Sequence, residues 1–156
     1  MGRDPLGSAD AERYRRNRAF SPRPLTLVVD ASIAVPACLS EAGFTVLPDD
    51  DLVAPALLWS EARSVLHELV WRREITVEDG DAGRRALEDA PVRRVDDARL
   101  GPESWRIADL LGWAKTYDAE YVALALLLGC RLVTLDVRLL RGAERLGLVV
   151  SIEELR

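Results

Sequence analysis

Most of the chain mixes apolar and polar positions at helical spacing, but two stretches are apolar on every side. Leu25 to Val29 (LTLVV) is a continuous apolar run bounded by Pro24 and Asp30, the pattern of a central parallel strand covered on both faces. Ala119 to Leu128 is also nearly all apolar, opens on Asp118 and is stopped by Gly129. A helix apolar all round is a buried helix, and glycine just past its end is a C-terminal signal. Arg131 to Leu135 then predicts a short strand, with Asp136 directly after it. At about 1.5 Å per helical residue and about 3.3 Å per strand residue, this helix and strand each run roughly 16 Å. Packed antiparallel in an α/β layer, they bring Asp118 and Asp136 to one edge, eighteen positions apart in sequence but close in space.

The other elements fall around this unit. A helix over Ile33 to Leu39 follows Asp30-Ala31-Ser32, with Pro36 inside it. Asp49, Asp50 and Asp51 read as a solvated turn, and Leu52 to Ala54 as a short strand. Pro55 opens a long helix from Ala56 to Arg73 with the stripe Leu58, Ala62, Val65, Leu66 and Leu69. Glu61 sits at the flank of that stripe, where a carboxylate is costly unless paired, hydrogen-bonded or metal-bound. Thr76 to Ala90 predicts a polar surface helix and Val92 to Val95 a strand. Glu103 to Ala114 predicts a helix whose inner surface includes Trp105, Ile107, Ala108, Leu111 and Ala114. Trp59, Trp71, Trp105 and Trp113 all lie within helical apolar patterns and read as packing anchors. Arg138 to Leu146 predicts a basic helix and Leu148 to Ile152 the last strand, before a brief helical end. About five strands alternating with helices make a single α/β domain with a parallel sheet.

A length of 156 residues suits one domain with a real core. No apolar run is long enough to span a membrane, and residues 1–24 lack the apolar segment of a secretion signal. The expected compartment is the cytoplasm. Residues 1–24 carry six arginines against three acids, and are expected to be a disordered leader or an expression remnant, with a short helix around Asp10 to Arg18. The rest, residues 25–156, then holds 15 basic against 23 acidic side chains. That surplus is wrong for a simple nucleic-acid coat, but an acidic body acts on nucleic acid if its acids gather at a metal site. Cys38 and Cys130 lack metal-ligand spacing and read as small buried hydrophobes. The single histidine, His67, and the absence of a nucleophile elbow make a His-dependent triad hard to build.

Ligands of open α/β sheets gather at the C-terminal strand edge. Right-handed crossovers put Asp30, Asp118 and Asp136 there, with Glu61 able to reach them from the long helix. Carboxylates at 4 Å repel by roughly 1 to 4 kcal/mol per pair, and all-oxygen clusters are what Mg²⁺ or Mn²⁺ prefer. Three helix-capping aspartates and a surface glutamate are the plainer alternative. A phosphoacceptor receiver fits poorly, because Asp30 lacks an acidic neighbour and the single lysine is Lys115. A DxD phosphatase fails on Ser32.

VVDAS at the first strand, SEARSVL on the long helix, TYDAEYVALA and TLDVRL resemble, in this order, the four acidic motifs of PIN domains. The spacing is most similar to the VapC-type toxins of bacterial toxin–antitoxin pairs, over Leu25 to Leu155. The interval from Asp30 to Glu61 is shorter than that pattern, and such toxins begin close to the first strand. The resemblance makes Asp30, Glu61, Asp118 and Asp136 the catalytic metal site, with Ser32 and Thr134 as supporting hydroxyls. It implies a Mg²⁺-dependent endoribonuclease, a homodimer and inhibition by a cognate antitoxin. Metal-assisted hydrolysis of RNA would place Asp30 and Asp136 directly on one Mg²⁺, with Asp118 and Glu61 binding through water or supporting a second ion. Arg138 is the candidate for offsetting phosphate charge. A catalytically idle protein-interaction module of the same fold is the rival from another class.

Overall fold

The computed structural model describes residues 25–48 and 51–155. The proposed leader, its helix over Asp10 to Arg18, and Asp49 and Asp50 lie outside the described residues. Among the described residues the chain runs β1 (Thr26–Val29), α1 (Ala31–Leu39), β2 (Asp51–Pro55), α2 (Leu57–Trp71), α3 (Val77–Glu88), β3 (Arg93–Val95), α4 (Leu100–Leu111), α5 (Tyr117–Leu128), β4 (Arg131–Val133), α6 (Val137–Ala143) and β5 (Val149–Val150). The strands form one sheet in the order β3-β2-β1-β4-β5. Every pairing is parallel, with Val28 opposite both Val53 and Leu132.

β1 is therefore the central strand, as its apolar run predicts. Leu27, Val28 and Val29 are all buried although neighbours on a strand point to opposite faces, so both faces are covered. From β1 the chain first builds outward through β2 to β3, then returns to lay β4 on the other side of β1. The strand order reverses between β1 and β4, and a crevice opens above their C-terminal ends at such a switch point.

α5 lies across β1, β2 and β4, and packs along α4 on its other side. Residues Ala119 and Tyr121 through Leu126 are buried, so nearly the whole circumference of the helix is inside. Ala119 and Ala123 are fully buried, and enlarging Ala123 to leucine would overpack that contact at a cost of about 1–3 kcal/mol. Gly129 closes α5 in the left-handed region at φ 65°. Cys130 N–H then bonds Ala125 O at 3.0 Å, a Schellman turn that sends the chain straight into β4.

Several elements differ from the pattern-based reading. α1 starts at Ala31, two residues before the predicted Ile33, because Asp30 supplies its cap. α4 starts at Leu100, three residues early, since Pro102 is harmless in a first turn where no N–H partner is needed. It ends at Gly112 with φ 70°, which leaves Ala114 outside the helix and exposed. Its buried face runs through Leu100, Ser104, Ile107 and Ala108, so Trp105, off that stripe, points outward at 67% exposure. Trp71, at the end of α2, is likewise 77% exposed, whereas Trp59 and Trp113 do pack against the core. The last strand is only Val149–Val150. Asp51 begins β2 and bonds Arg93 on neighbouring β3 at 2.7 Å, so it is not part of a turn. α3 is polar outside but not merely a surface helix: Gly80 and Gly83 are buried, and a Cβ at Gly83 would sit 3.0 Å from Leu39 and 3.1 Å from Leu66.

Among the described residues no helix is long and apolar enough to cross a membrane. Burial pushes the Cys38 thiol up to about 11 and the Cys130 thiol up to about 12, which removes both as thiolate nucleophiles at neutral pH.

Candidate active site

The crevice above β1 and β4 is a cleft of about 320 Å³ lined by Asp30, Ser32, Glu61, Asp118, Tyr121 and Asp136, with Val35, Pro36 and Val65 as its apolar wall. All four acids singled out in the sequence thus face one space, and among the described residues no basic side chain lines it.

Asp30 is the buried member, at the end of β1. Its Oδ1 accepts the Ser32 hydroxyl at 2.6 Å and the Ile33 N–H at 3.3 Å, and its Oδ2 accepts the Thr134 hydroxyl at 2.5 Å. The two hydroxyls also accept: Leu135 N–H donates to Ser32 Oγ at 2.8 Å and Asp136 N–H to Thr134 Oγ1 at 3.0 Å. Ser32 and Thr134 therefore tie the start of α1 to the β4–α6 turn through Asp30. Burial raises the Asp30 pKa, and the bonds from Ser32, Thr134 and Ile33 only partly offset it.

Asp136 follows β4 and caps α6, its Oδ1 accepting Arg138 N–H at 2.8 Å and Leu139 N–H at 3.4 Å. Partial burial works to raise its pKa, but these bonds and the Arg138 guanidinium outweigh it and the pKa is lowered. Arg138 is 3.4 Å from Asp136 and its side chain is 94% exposed, so this cation is loosely held at the rim. Asp118 lies in the first turn of α5, where Thr116 and not Asp118 occupies the cap position. Loss of water on its protein side and repulsion from Asp136 raise its pKa, against the pull of Arg138.

Glu61 projects from the flank of α2. Its Oε2 accepts the Tyr121 hydroxyl at 2.6 Å. Desolvation raises its pKa, Tyr121 opposes, and Asp118, Asp30 and Asp136 each push it further up. That mutual repulsion is the electrostatic signature of one cluster.

The capping alternative is half right: Asp30 and Asp136 do cap helices. Asp118 does not, and Glu61 is not an isolated surface group. The set is an all-oxygen donor array with excess negative charge, which suits a hard divalent cation. Among the described residues no three of these side chains converge closely enough to hold an ion by themselves. A cation here would be met partly through water, as Mg²⁺ commonly is. Two residues escaped the sequence reading. Tyr121 was absorbed into the apolar run, although a phenol inside a buried helix needs a partner. Glu120, two positions after Asp118, feels burial and then Glu61, and its pKa is raised.

Comparison with known proteins agrees with this fold. The family model described as PIN domain matches residues 27–145. The chain is 36% identical over 114 residues to VapC ribonuclease Mb0985 of Mycobacterium bovis and, equally, to Ribonuclease VapC9 of Mycobacterium tuberculosis, covering 72% of this chain and 87% of each relative. Among solved structures it is similar to PAE2754 from Pyrobaculum aerophilum, at 28% identity and a TM-score of 0.64, covering 84% of this chain and 93% of that one. A parallel five-stranded sheet with acids at its switch point, and relatives that match over most of both lengths, make this chain a member of the PIN-domain family, of the VapC ribonuclease type.

Proposed function

We propose that the chain is a divalent-metal-dependent endoribonuclease that serves as the toxin of a toxin–antitoxin pair, with Asp30, Glu61, Asp118 and Asp136 as its catalytic metal site. The observation that carries this reading is the cleft itself: four carboxylates from four separate segments, with no basic side chain lining it among the described residues. Mg²⁺ is the proposed ion, and Mn²⁺ suits the same donors. When bound, it supplies Lewis-acid activation of water and charge stabilisation at a phosphodiester.

The chain's own contribution is orientation. Asp30 is held on both oxygens by Ser32 and Thr134. Asp136 is held by the α6 backbone with Oδ2 turned away from those N–H groups. These two are the direct ligands in this reading, and Asp118 and Glu61 act through water or support a second ion. Arg138, exposed beside Asp136, offsets phosphate charge at the rim. The cytoplasm is the proposed compartment. A second copy of the chain and a cognate antitoxin are the proposed protein partners, the antitoxin placing a basic side chain against the acids.

The test is cleavage of a mixed RNA pool by purified protein in chelator, Mg²⁺ and Mn²⁺, with Asp30→Asn prepared in parallel. Cleavage that needs the metal and Asp30 supports the reading. Cleavage that persists in chelator or in the variant refutes it, and no cleavage under any condition favours the idle interaction module.

A further inference from the structure

We infer that Tyr121 is a positioning residue for Glu61: its buried hydroxyl fixes one carboxylate oxygen so that the other faces the acidic cleft. The inference rests on the metal-site reading above and adds to it a residue outside the four acids and two hydroxyls.

Tyr121 is 1% exposed, so its hydroxyl has lost water and must find a partner in the protein. Its partner is Glu61 Oε2 at 2.6 Å, the short length of a hydroxyl bonded to an ionised carboxylate. The bond joins residues sixty positions apart, from α5 to α2. These two helices have little direct backbone contact, so their packing does not set where Glu61 points. Glutamate carries three side-chain torsions, and three other acids repel it. Left alone it would swing toward solvent. Tyr121 and Asp118 stand three positions apart on α5 and line the same cleft, so the tyrosine registers Glu61 against the helix that carries another acid of the cluster. Its ring, buried as part of the apolar core, supplies a rigid base for the donor.

A double-mutant cycle read by Mn²⁺ binding tests this. Calorimetric titration with Mn²⁺ alone is made on the full chain as wild type, Tyr121→Phe, Glu61→Gln and the double variant, with thermal melts in chelator as the fold control. Phenylalanine keeps the ring and removes only the hydroxyl. The expected result is binding weakened by roughly tenfold or more in Tyr121→Phe, the range for losing a partner that orients a ligand. Adding Tyr121→Phe to Glu61→Gln should weaken binding no further. Equal loss in both backgrounds means that Tyr121 acts through packing, and unchanged Mn²⁺ binding in Tyr121→Phe means that it does not position Glu61; either overturns the inference while the metal site stands. Wild-type protein that takes up no Mn²⁺ overturns the metal-site reading and this inference together. If Tyr121→Phe melts before it can be titrated, position-specific 4-fluorophenylalanine at 121 decides the matter: its fluorine fills the space of the hydroxyl but cannot donate, so weakened uptake there supports the inference and wild-type uptake refutes it.

Discussion

Carboxylates in this molecule live in two settings. On α3 and along the β2–β3 edge several meet an arginine: Asp81 meets Arg84 at 3.0 Å and Arg85 at 3.1 Å, Glu88 meets Arg84 at 2.7 Å, and Asp51 meets Arg93 at 2.7 Å. Hydrogen bonds from Arg84 hold Asp81 below its usual range, and those from Arg99 hold Asp97 at about 2. In the cleft above the strand C-termini, among the described residues, the acids have no such partner beyond exposed Arg138, and Asp30, Glu61 and Asp118 are all pushed up, first by loss of water. The surface pairs are electrically closed and worth little. The cleft keeps its charge unpaired, and in the proposed reading a cation from outside closes it. What sets the proposed site apart is unneutralised charge, not charge itself.

The hardest blow to that comparison is removal of a cleft acid. Asp30→Asn should lower RNA cleavage by more than about 100-fold, beyond the range for losing an outer partner of a metal site, with the circular dichroism spectrum unchanged. Asp97→Asn should leave the rate as it is. Parallel rate measurements that place the two variants together would erase the distinction between the settings.

Metal should stabilise one setting and ignore the other. Mg²⁺ at a hundred times its dissociation constant adds about 2.7 kcal/mol to a protein that binds it only when folded. Without metal, Asp118→Asn relieves repulsion and should itself stabilise the chain. Because Asp118 stands at the exposed rim, the gain should be about 0.5–1 kcal/mol, the lower part of the range for such changes. Paired melts in chelator and in Mg²⁺ check both expectations. A variant that melts lower in chelator, with the wild-type response to Mg²⁺, would take Asp118 out of the cluster.

How much of this was legible follows from the physics of each residue. The β1 strand, the α5 helix and the acids after β1 and β4 could be read because full burial leaves an unbroken apolar run, and a charge at its end has few reasons to be there. Glu61 was legible as a cost beside an apolar stripe. Trp71 and Trp105 were not, since a helical pattern gives spacing but does not say how wide the buried stripe is: on α4 it runs through Leu100, Ser104, Ile107 and Ala108, and Trp105 falls outside it. Tyr121 was hidden because its ring satisfies the apolar pattern and only coordinates show where the hydroxyl goes.

The two settings should also separate along the pH axis. An acid with a raised folded-state pKa binds more protons folded than unfolded between its two pKa values, so acidification stabilises the fold there. The chelator-stage advantage of Asp118→Asn should therefore be full at pH 7, where wild-type Asp118 is charged. It should shrink as pH falls through the raised folded value toward the ordinary 3.8, because the wild type then protonates and loses the repulsion itself. Urea titrations of both proteins at steps from pH 7 to pH 4 read this. An advantage that grows on acidification would mean that Asp118 is stabilised as a carboxylate and is not part of a repelling cluster.

The smallest effect belongs to Asp97, and its sign is the reverse. Asp97 accepts Arg99 N–H at 2.8 Å and the guanidinium at 2.7 Å, and its folded pKa is lowered from 3.8 to about 2. Its contribution is therefore present above 3.8 and lost as pH falls toward 2. Both partners lie within three residues of one another at the start of α4, so the unfolded chain also makes the contact part of the time, and the net effect is small. Asp97→Asn should cost a little stability at pH 7 and nothing near pH 2, with no change in the response to Mg²⁺. The same urea titrations carried to lower pH measure it. A loss at pH 7 larger than the gain from Asp118→Asn would show that a closed surface pair carries more energy than the open cleft, and would reverse the order of the two settings.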